Sequence, residues 1–247
     1  MRTSTILIIV ALAVLLVSMG VYDQQLHTAF KQGSYKIPFS NYVSTNFSGF
    51  RHINLKSAST VNVKIERGPF RTLTEPSASE FVQLKMNGDT LEIETVFPDD
   101  YRNYGAGFGM YISCPELSSI SSNAYYHIRR EEHVDRFASE NFRIRKTIVS
   151  GFAQDSLNVM ATNASNIWLV NDTLKSLNAL IGADSASASN FYIGEKNYFE
   201  RTNIDVRNQA RFWIHDADTT QTFHYTLTDS ALLIVSASAR HILKTLQ

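Results

Sequence analysis

Short runs in which apolar and polar residues alternate extend from Ile53 almost to the end of the chain. Such alternation is typical of β-strands that bury one face. In the C-terminal half, each run follows a phrase in which small or polar residues surround an alanine. The four alanines, Ala164, Ala188, Ala210 and Ala231, are separated by 24, 22 and 21 residues. The phrase therefore indicates a repeat that carries one strand per copy.

A period of about 20–25 residues is typical of solenoids, in which each repeat stacks on the previous one. Further alternating runs lie in the N-terminal half, where Asn87-Gly88-Asp89 predicts a tight turn between two of them. Helical periodicity is nearly absent after residue 33. The sequence therefore predicts an all-β, right-handed single-stranded β-helix (β-solenoid), preceded by one N-terminal transmembrane helix.

Stacked repeats place equivalent side chains in rows. Two buried rows are predicted, one of Ile167, Phe191, Phe212 and Leu232 or Leu233, and one of Leu169, Ile193, Ile214 and Ile234 or Val235.

The residues between these two rows, Trp168, Tyr192 and Trp213, would then point outward. An exposed row of aromatic side chains is suited to binding sugar rings or a partner protein. The alternative is that a loop or a second layer covers the row. We take these three residues as the candidate interaction surface.

The N-terminus reads as a targeting or anchoring segment. No charged residue occurs from Thr3 to Tyr22, and this length is sufficient to cross a bilayer. An uncleaved anchor is favoured, with a signal peptide cleaved near Gly20 as the alternative. In both cases Arg2 stays in the cytoplasm and the remainder is exported. We divide the chain into an anchor or signal peptide (1–22), a tether (23–47) and a β domain (48–247).

The composition limits the classes of function that this protein can have. The 23 lysines and arginines balance 23 aspartates and glutamates, which argues against a nucleic-acid partner. Cys114 is the single cysteine, so an internal disulfide is excluded, and we expect a small buried hydrophobe there.

Three segments resemble the auto-transporter adhesin head GIN domain family: Phe50–Gly68, Asn87–Ile93 and Cys114–Ile120. The resemblance covers roughly residues 48–240. It implies an exported envelope protein of Bacteroidetes-type bacteria with stacked β coils, and it brings no catalytic residues. The chain departs from the family at its turns, where alanine-containing phrases replace glycine–serine–glycine.

No catalytic, cofactor-binding or metal-binding residue is predicted. The seven histidines show no ligand spacing, and no nucleophile motif is present. The nearest approach to a catalytic cluster is His215, Asp216 and Asp218 beside Arg211, which resembles what a polysaccharide-cleaving enzyme needs for calcium and a base. Turn roles are favoured for these aspartates, because acidic residues occur at turns far more often than as calcium ligands.

The predicted function is that of a non-catalytic adhesion or interaction module of the cell envelope. It would be held at the inner membrane with its β domain in the periplasm, or exported to the surface if cleaved. Its partner would be a glycan or an envelope protein. The alternatives are a polysaccharide-lyase type enzyme and a structural protein that self-associates.

Overall fold

A computed structural model describes residues 3–33, 38–98, 109–137, 145–215 and 222–236. The chain divides into two compact units, Met1–Asn41 and Tyr42–Gln247.

The first unit contains the helix α1, Thr3–Gln32. Its segment Thr5–Lys31 contains an 18-residue stretch with a mean hydropathy of 2.7, and α1 is the one helix of the described residues that is long and apolar enough to cross a membrane. Gly33 has a φ of 66°, and its N–H donates to the Phe30 carbonyl at 3.1 Å. A glycine in this conformation ends a helix without steric cost.

The second unit contains nineteen described strands and a short 3-10 helix, Ala78–Glu80. In chain order the strands are β1 Val43–Thr45, β2 His52–Leu55, β3 Val63–Arg67, β4 Arg71–Thr74, β5 Val82–Asn87, β6 Thr90–Phe97, β7 Met110–Cys114, β8 Ser119–Ser122, β9 Tyr125–Ile128, β10 Glu131–Val134, β11 Thr147–Ser150, β12 Ala153–Ala161, β13 Asn166–Val170, β14 Thr173–Ile181, β15 Asn190–Ile193, β16 Tyr198–Val206, β17 Arg211–Ile214, β18 Thr222–Leu227 and β19 Leu232–Val235.

These strands form two mixed sheets. One has nine strands in the order β1-β4-β7-β3-β11-β13-β15-β17-β19. The other has ten strands, of which nine follow the order β10-β9-β6-β2-β8-β12-β14-β16-β18 and the tenth, β5, pairs with β6 beside this path. The buried faces of both sheets contribute to one hydrophobic cluster.

The two buried rows predicted from the sequence are confirmed. Strands β13, β15, β17 and β19 are parallel neighbours, which aligns Ile167, Phe191, Phe212 and Leu233, and also Leu169, Ile193, Ile214 and Val235. On β19 the members are Leu233 and Val235, which are half-buried, whereas Leu232 is 52% exposed. The Phe191 and Phe212 rings stack with centroids 5.7 Å apart.

The predicted right-handed single-stranded β-helix is wrong. The described residues form two large mixed sheets and no closed solenoid. Several pairs are antiparallel, including β5 with β6, β4 with β7 and β9 with β10. Moreover, β2 lies between β6 and β8, and β3 between β7 and β11, so early strands are inserted between later ones. The repeat of the C-terminal half does not extend to the N-terminal half, where hairpins fold back.

The alanine phrases mark tight corners between the sheets. A residue with a positive φ, of 53° to 60°, begins or directly precedes each phrase: Asn163, Ala186, Asn208 and Asp229. Asparagine and aspartate tolerate this region better than most residues. The amide of Asn208 donates to the carbonyls of Gly182 and Asp184, at 2.6 and 2.9 Å. A Cβ on Gly182 would lie only 2.9 Å from Ala210 Cβ, so small residues are needed where successive corners lie against each other.

Cys114 is fully buried, as the sequence predicted. Burial raises the pKa of its thiol to about 12, so the thiol stays protonated at neutral pH.

Candidate functional site

The three predicted aromatic residues lie side by side on the partly exposed face of the nine-stranded sheet. Trp168 on β13 is in register with Tyr192 on β15, which is in register with Trp213 on β17. The ring centroids are 4.1 Å apart for the first pair and 5.0 Å for the second, and the planes are within 13° and 5° of parallel. We call these three residues the aromatic row.

The stacking determines which parts of the rings are available. Tyr192 has one indole against each face, because Trp168 and Trp213 lie on the strands to either side of it. The ammonium of Lys146 lies over the Trp168 ring, 5.0 Å from its centroid. The row therefore offers ring edges to a ligand, and the middle ring has no free face for stacking on a sugar.

Polar contacts fix the first ring of the row. Trp168 Nε1 donates to Asn166 Oδ1 at 2.8 Å, and Asn166 Nδ2 donates to the Arg145 carbonyl at 3.0 Å. The Nε1 atom of Trp213 is shielded from solvent, and no described residue accepts a hydrogen bond from it.

A groove runs along each side of the aromatic row. The larger one, the polar groove, has a volume of about 670 Å³. Besides the aromatic row, its lining residues are Phe137, Ala164, Asn166, Ala188, Asn190, Gln209, Arg211, Ser230 and Leu232.

The smaller one, the apolar groove, has a volume of about 370 Å³. Besides the aromatic row, it is lined by Gly194, Ile214, His215, Ile234, Val235 and Ser236. Both volumes lie in the range of ligand-binding clefts, about 300–1,000 Å³.

Three side chains of the polar groove are available to a ligand. Asn190, Gln209 and Arg211 have no hydrogen-bond or ion-pair partner among the described residues, and Gln209 and Arg211 are exposed. Burial raises the pKa of the neighbouring Tyr192 phenol, and Arg211 acts in the opposite direction. Tyr192 therefore presents a neutral hydroxyl beside a cationic guanidinium. The sequence singled out the aromatic row as a binding surface, whereas Asn190 and Gln209 entered only as members of the alanine phrases, without a binding role.

Of the predicted enzyme-like cluster, Asp216 and Asp218 lie outside the described residues. His215 lies on the wall of the apolar groove, and its Nε2 is 3.8 Å from Glu195 Oε1. Arg211 faces the polar groove instead. The described part of the chain contains no group of three or more histidine, cysteine, aspartate or glutamate side chains placed to hold a metal ion.

One arrangement on the ten-stranded sheet resembles a hydrolytic triad. His52 Nδ1 lies 2.7 Å from Ser119 Oγ, and His52 Nε2 lies 3.5 Å from Asp89 Oδ2. Ser119 is on β8, which has a parallel strand on each side, so the backbone N–H groups of β8 are committed to the sheet. Acyl transfer needs free donors for the oxyanion. We therefore assign no hydrolytic role to these residues, which sequence reasoning did not bring together.

In sequence, no protein-family model matches the chain, and no curated protein is significantly similar to it.

In structure, the chain is similar to a "putative adhesin" from Bacteroides fragilis, with 12% identity, a TM-score of 0.40, and coverage of 79% of this chain and 96% of the other. A "putative adhesin" from Parabacteroides distasonis has 9% identity, a TM-score of 0.33 and coverage of 79% and 96%. A "putative lipid binding protein" from the same species has 12% identity, a TM-score of 0.29 and coverage of 79% and 93%. The structural neighbours thus include Bacteroidetes proteins described as adhesins, at low identity.

Proposed function

We propose that this chain is a non-catalytic binding protein of the bacterial cell envelope, anchored by α1 and exported beyond the inner membrane. Its partner, a glycan or a protein, contacts the aromatic row and the grooves beside it. Kinship with the auto-transporter adhesin head GIN domain family is part of this proposal, supported by the three segments that resemble that family.

The observation that carries the proposal is the aromatic row itself. Three large rings held by mutual stacking form a rigid surface that a partner can contact without ordering it first, which lowers the entropic cost of binding. Unpaired polar groups line one side, and apolar side chains line the other. This combination is typical of binding clefts, in which a few polar groups orient a ligand against apolar walls.

A blocking experiment tests the proposed surface. Gln209→Cys places a thiol at the polar groove, where maleimide-polyethylene glycol can be attached. Cys114 does not compete, because it is buried and its thiol has a pKa of about 12. Binding of the protein to arrayed glycans and to isolated envelope polymers should be lost after modification. Thr173→Cys, at an exposed position on β14 in the other sheet, is the matched control and should retain binding after modification.

Two results would contradict the proposal. The first is binding that survives modification at position 209 as fully as at position 173. The second is turnover of a bound polymer, seen as new reducing ends or shortened chains, because the proposal assigns no catalysis.

A further inference from the structure

We propose that the polar groove binds an acidic polysaccharide whose chain runs across the strands, alongside the aromatic row. This inference rests on the function proposed above and names the ligand of the same site.

The charge of the groove favours an anion. Arg211 is the one charged side chain among the described residues that line it, and no described carboxylate pairs with it. The ammonium of Lys146 adds positive charge at the Trp168 end of the row. An exposed guanidinium in this setting suits a carboxylate or sulfate group, which it can bind through two hydrogen bonds.

The aromatic row adds to the preference of the polar groove for an anion. A ring carries partial negative charge on its faces and partial positive charge at its edges. Since stacking occupies both faces of Tyr192, the row presents edges, which attract oxygen-rich and anionic groups. The amides of Asn190 and Gln209 and the hydroxyl of Tyr192 supply both donors and acceptors for sugar hydroxyls.

The spacing of the site distinguishes a polysaccharide from a peptide. Neighbouring strands lie about 4.8 Å apart, so equivalent groups on β13, β15, β17 and β19 repeat at that distance. This is close to the advance of one pyranose unit along a polysaccharide. Side chains on one face of an extended peptide repeat about every 6.7 Å and fall out of step with the strands. The in-register positions beside the aromatic row are Asn166, Asn190, Arg211 and Leu232. A sugar chain can therefore place successive units over successive strands, with an acidic group at Arg211 and a hydroxyl at Asn190.

The test uses the full chain in detergent and a series of oligogalacturonates of increasing length. Trp168 and Trp213 are the only tryptophans of the protein, so its intrinsic fluorescence reports on the aromatic row. We expect the emission to change on titration. Affinity should increase with length up to about four sugars, one for each strand of the site at a spacing of about 4.8 Å.

Arg211→Gln should weaken binding about tenfold or more, because a hydrogen bond to a charged group is lost. Arg201→Gln, which removes an exposed arginine from β16 in the other sheet, should leave the affinity unchanged.

Three results overturn the inference. Poly-L-glutamate that binds as tightly, with the same dependence on Arg211, would identify an acidic peptide as the ligand. Uncharged cello-oligosaccharides that bind as tightly would remove the role of charge. Oligogalacturonates that neither change the emission nor give heat in calorimetry would reject the ligand class altogether. If modification at position 209 still abolishes binding in the blocking experiment, the proposed function stands without this ligand.

Discussion

Two aspartates with the same sequence context have opposite environments in this protein. Asp155-Ser156-Leu157 and Asp172-Thr173-Leu174 both place an aspartate before a hydroxyl residue and a leucine. The Asp155 side chain is 83% exposed and forms an ion pair with Lys175 at 2.7 Å. Asp172 is fully buried at the corner between β13 and β14, where its Oδ1 accepts from the Phe152 N–H at 2.8 Å. Local sequence cannot separate these cases, because the difference arises from the corners that stack around Asp172.

Asp172 should make the stability of the protein depend on pH. Burial raises the pKa of its carboxyl from 3.8 to about 8. The folded state therefore holds a proton that the unfolded state releases, so stability is greatest below about pH 4 and declines as pH rises through 8. Asp172→Asn should remove this decline, which we expect to be roughly 3–5 kcal/mol in the free energy of unfolding.

Urea denaturation at a series of pH values measures this effect. Asp155→Asn is the matched control and should leave the slope with pH close to that of the unchanged protein. Parallel pH profiles for the unchanged protein and Asp172→Asn would show that Asp172 is ionised when folded.

At the scale of elements, the turns that join the strands accept only certain residues. Gly151, between β11 and β12, has a φ of 78°, and an added Cβ would meet no atom within 4 Å. Gly182, which follows β14, has a φ of 74°, but its Cβ would lie 2.3 Å from the Arg207 carbonyl oxygen and 2.9 Å from Ala210 Cβ. Gly182 is thus constrained by the next corner as well as by its own backbone.

Gly182→Ala should therefore destabilise the protein more than Gly151→Ala. Both variants place alanine in a left-handed conformation, at a cost of about 1 kcal/mol. Gly182→Ala adds the steric clash, so we expect a total loss of about 3 kcal/mol or more in the free energy of unfolding. Thermal or urea denaturation of the two variants gives the comparison. Equal losses would mean that neighbouring corners can move apart freely.

At the scale of the whole molecule, the length of the apolar segment of α1 is what makes this helix a candidate membrane anchor. The segment Thr5–Lys31 is sufficient in length and hydropathy to span a bilayer. We expect the intact chain to remain in the membrane fraction after alkaline carbonate extraction. Leu12→Arg combined with Leu16→Arg should release it, because each arginine near the centre of a span costs about 2.5–3.5 kcal/mol.

Gln24→Arg combined with Thr28→Arg is the control for this experiment, since these positions lie toward the end of the apolar segment. The control should stay in the membrane. A mature protein whose mass lacks the residues up to about Gly20 would instead show that the segment is a cleaved signal peptide.

The pattern of side chains along the chain determined much of this protein by itself. Alternation with a regular spacing identified the strands β13, β15, β17 and β19, the members of both buried rows on the first three of these strands, and the three aromatic residues that share a register. The second strand of each repeat and the choice of Leu233 and Val235 came from the structure. A side chain on a strand takes its face from its position in the alternation, and strands in register align equivalent positions. The apolar N-terminal segment and the burial of Cys114 follow from composition in the same direct way.

Only the tertiary structure decided how the strands of the N-terminal half pair. The strand β2 joins β6 and β8, and β3 joins β7 and β11, partners that are distant in sequence and carry no shared motif. Two mixed sheets form for that reason in place of the predicted β-helix. The ring faces of the aromatic row, the free side chains of Asn190 and Gln209, and the raised pKa of Asp172 likewise depend on neighbouring strands. Alternation specifies which face a residue occupies, whereas packing specifies what that residue meets there.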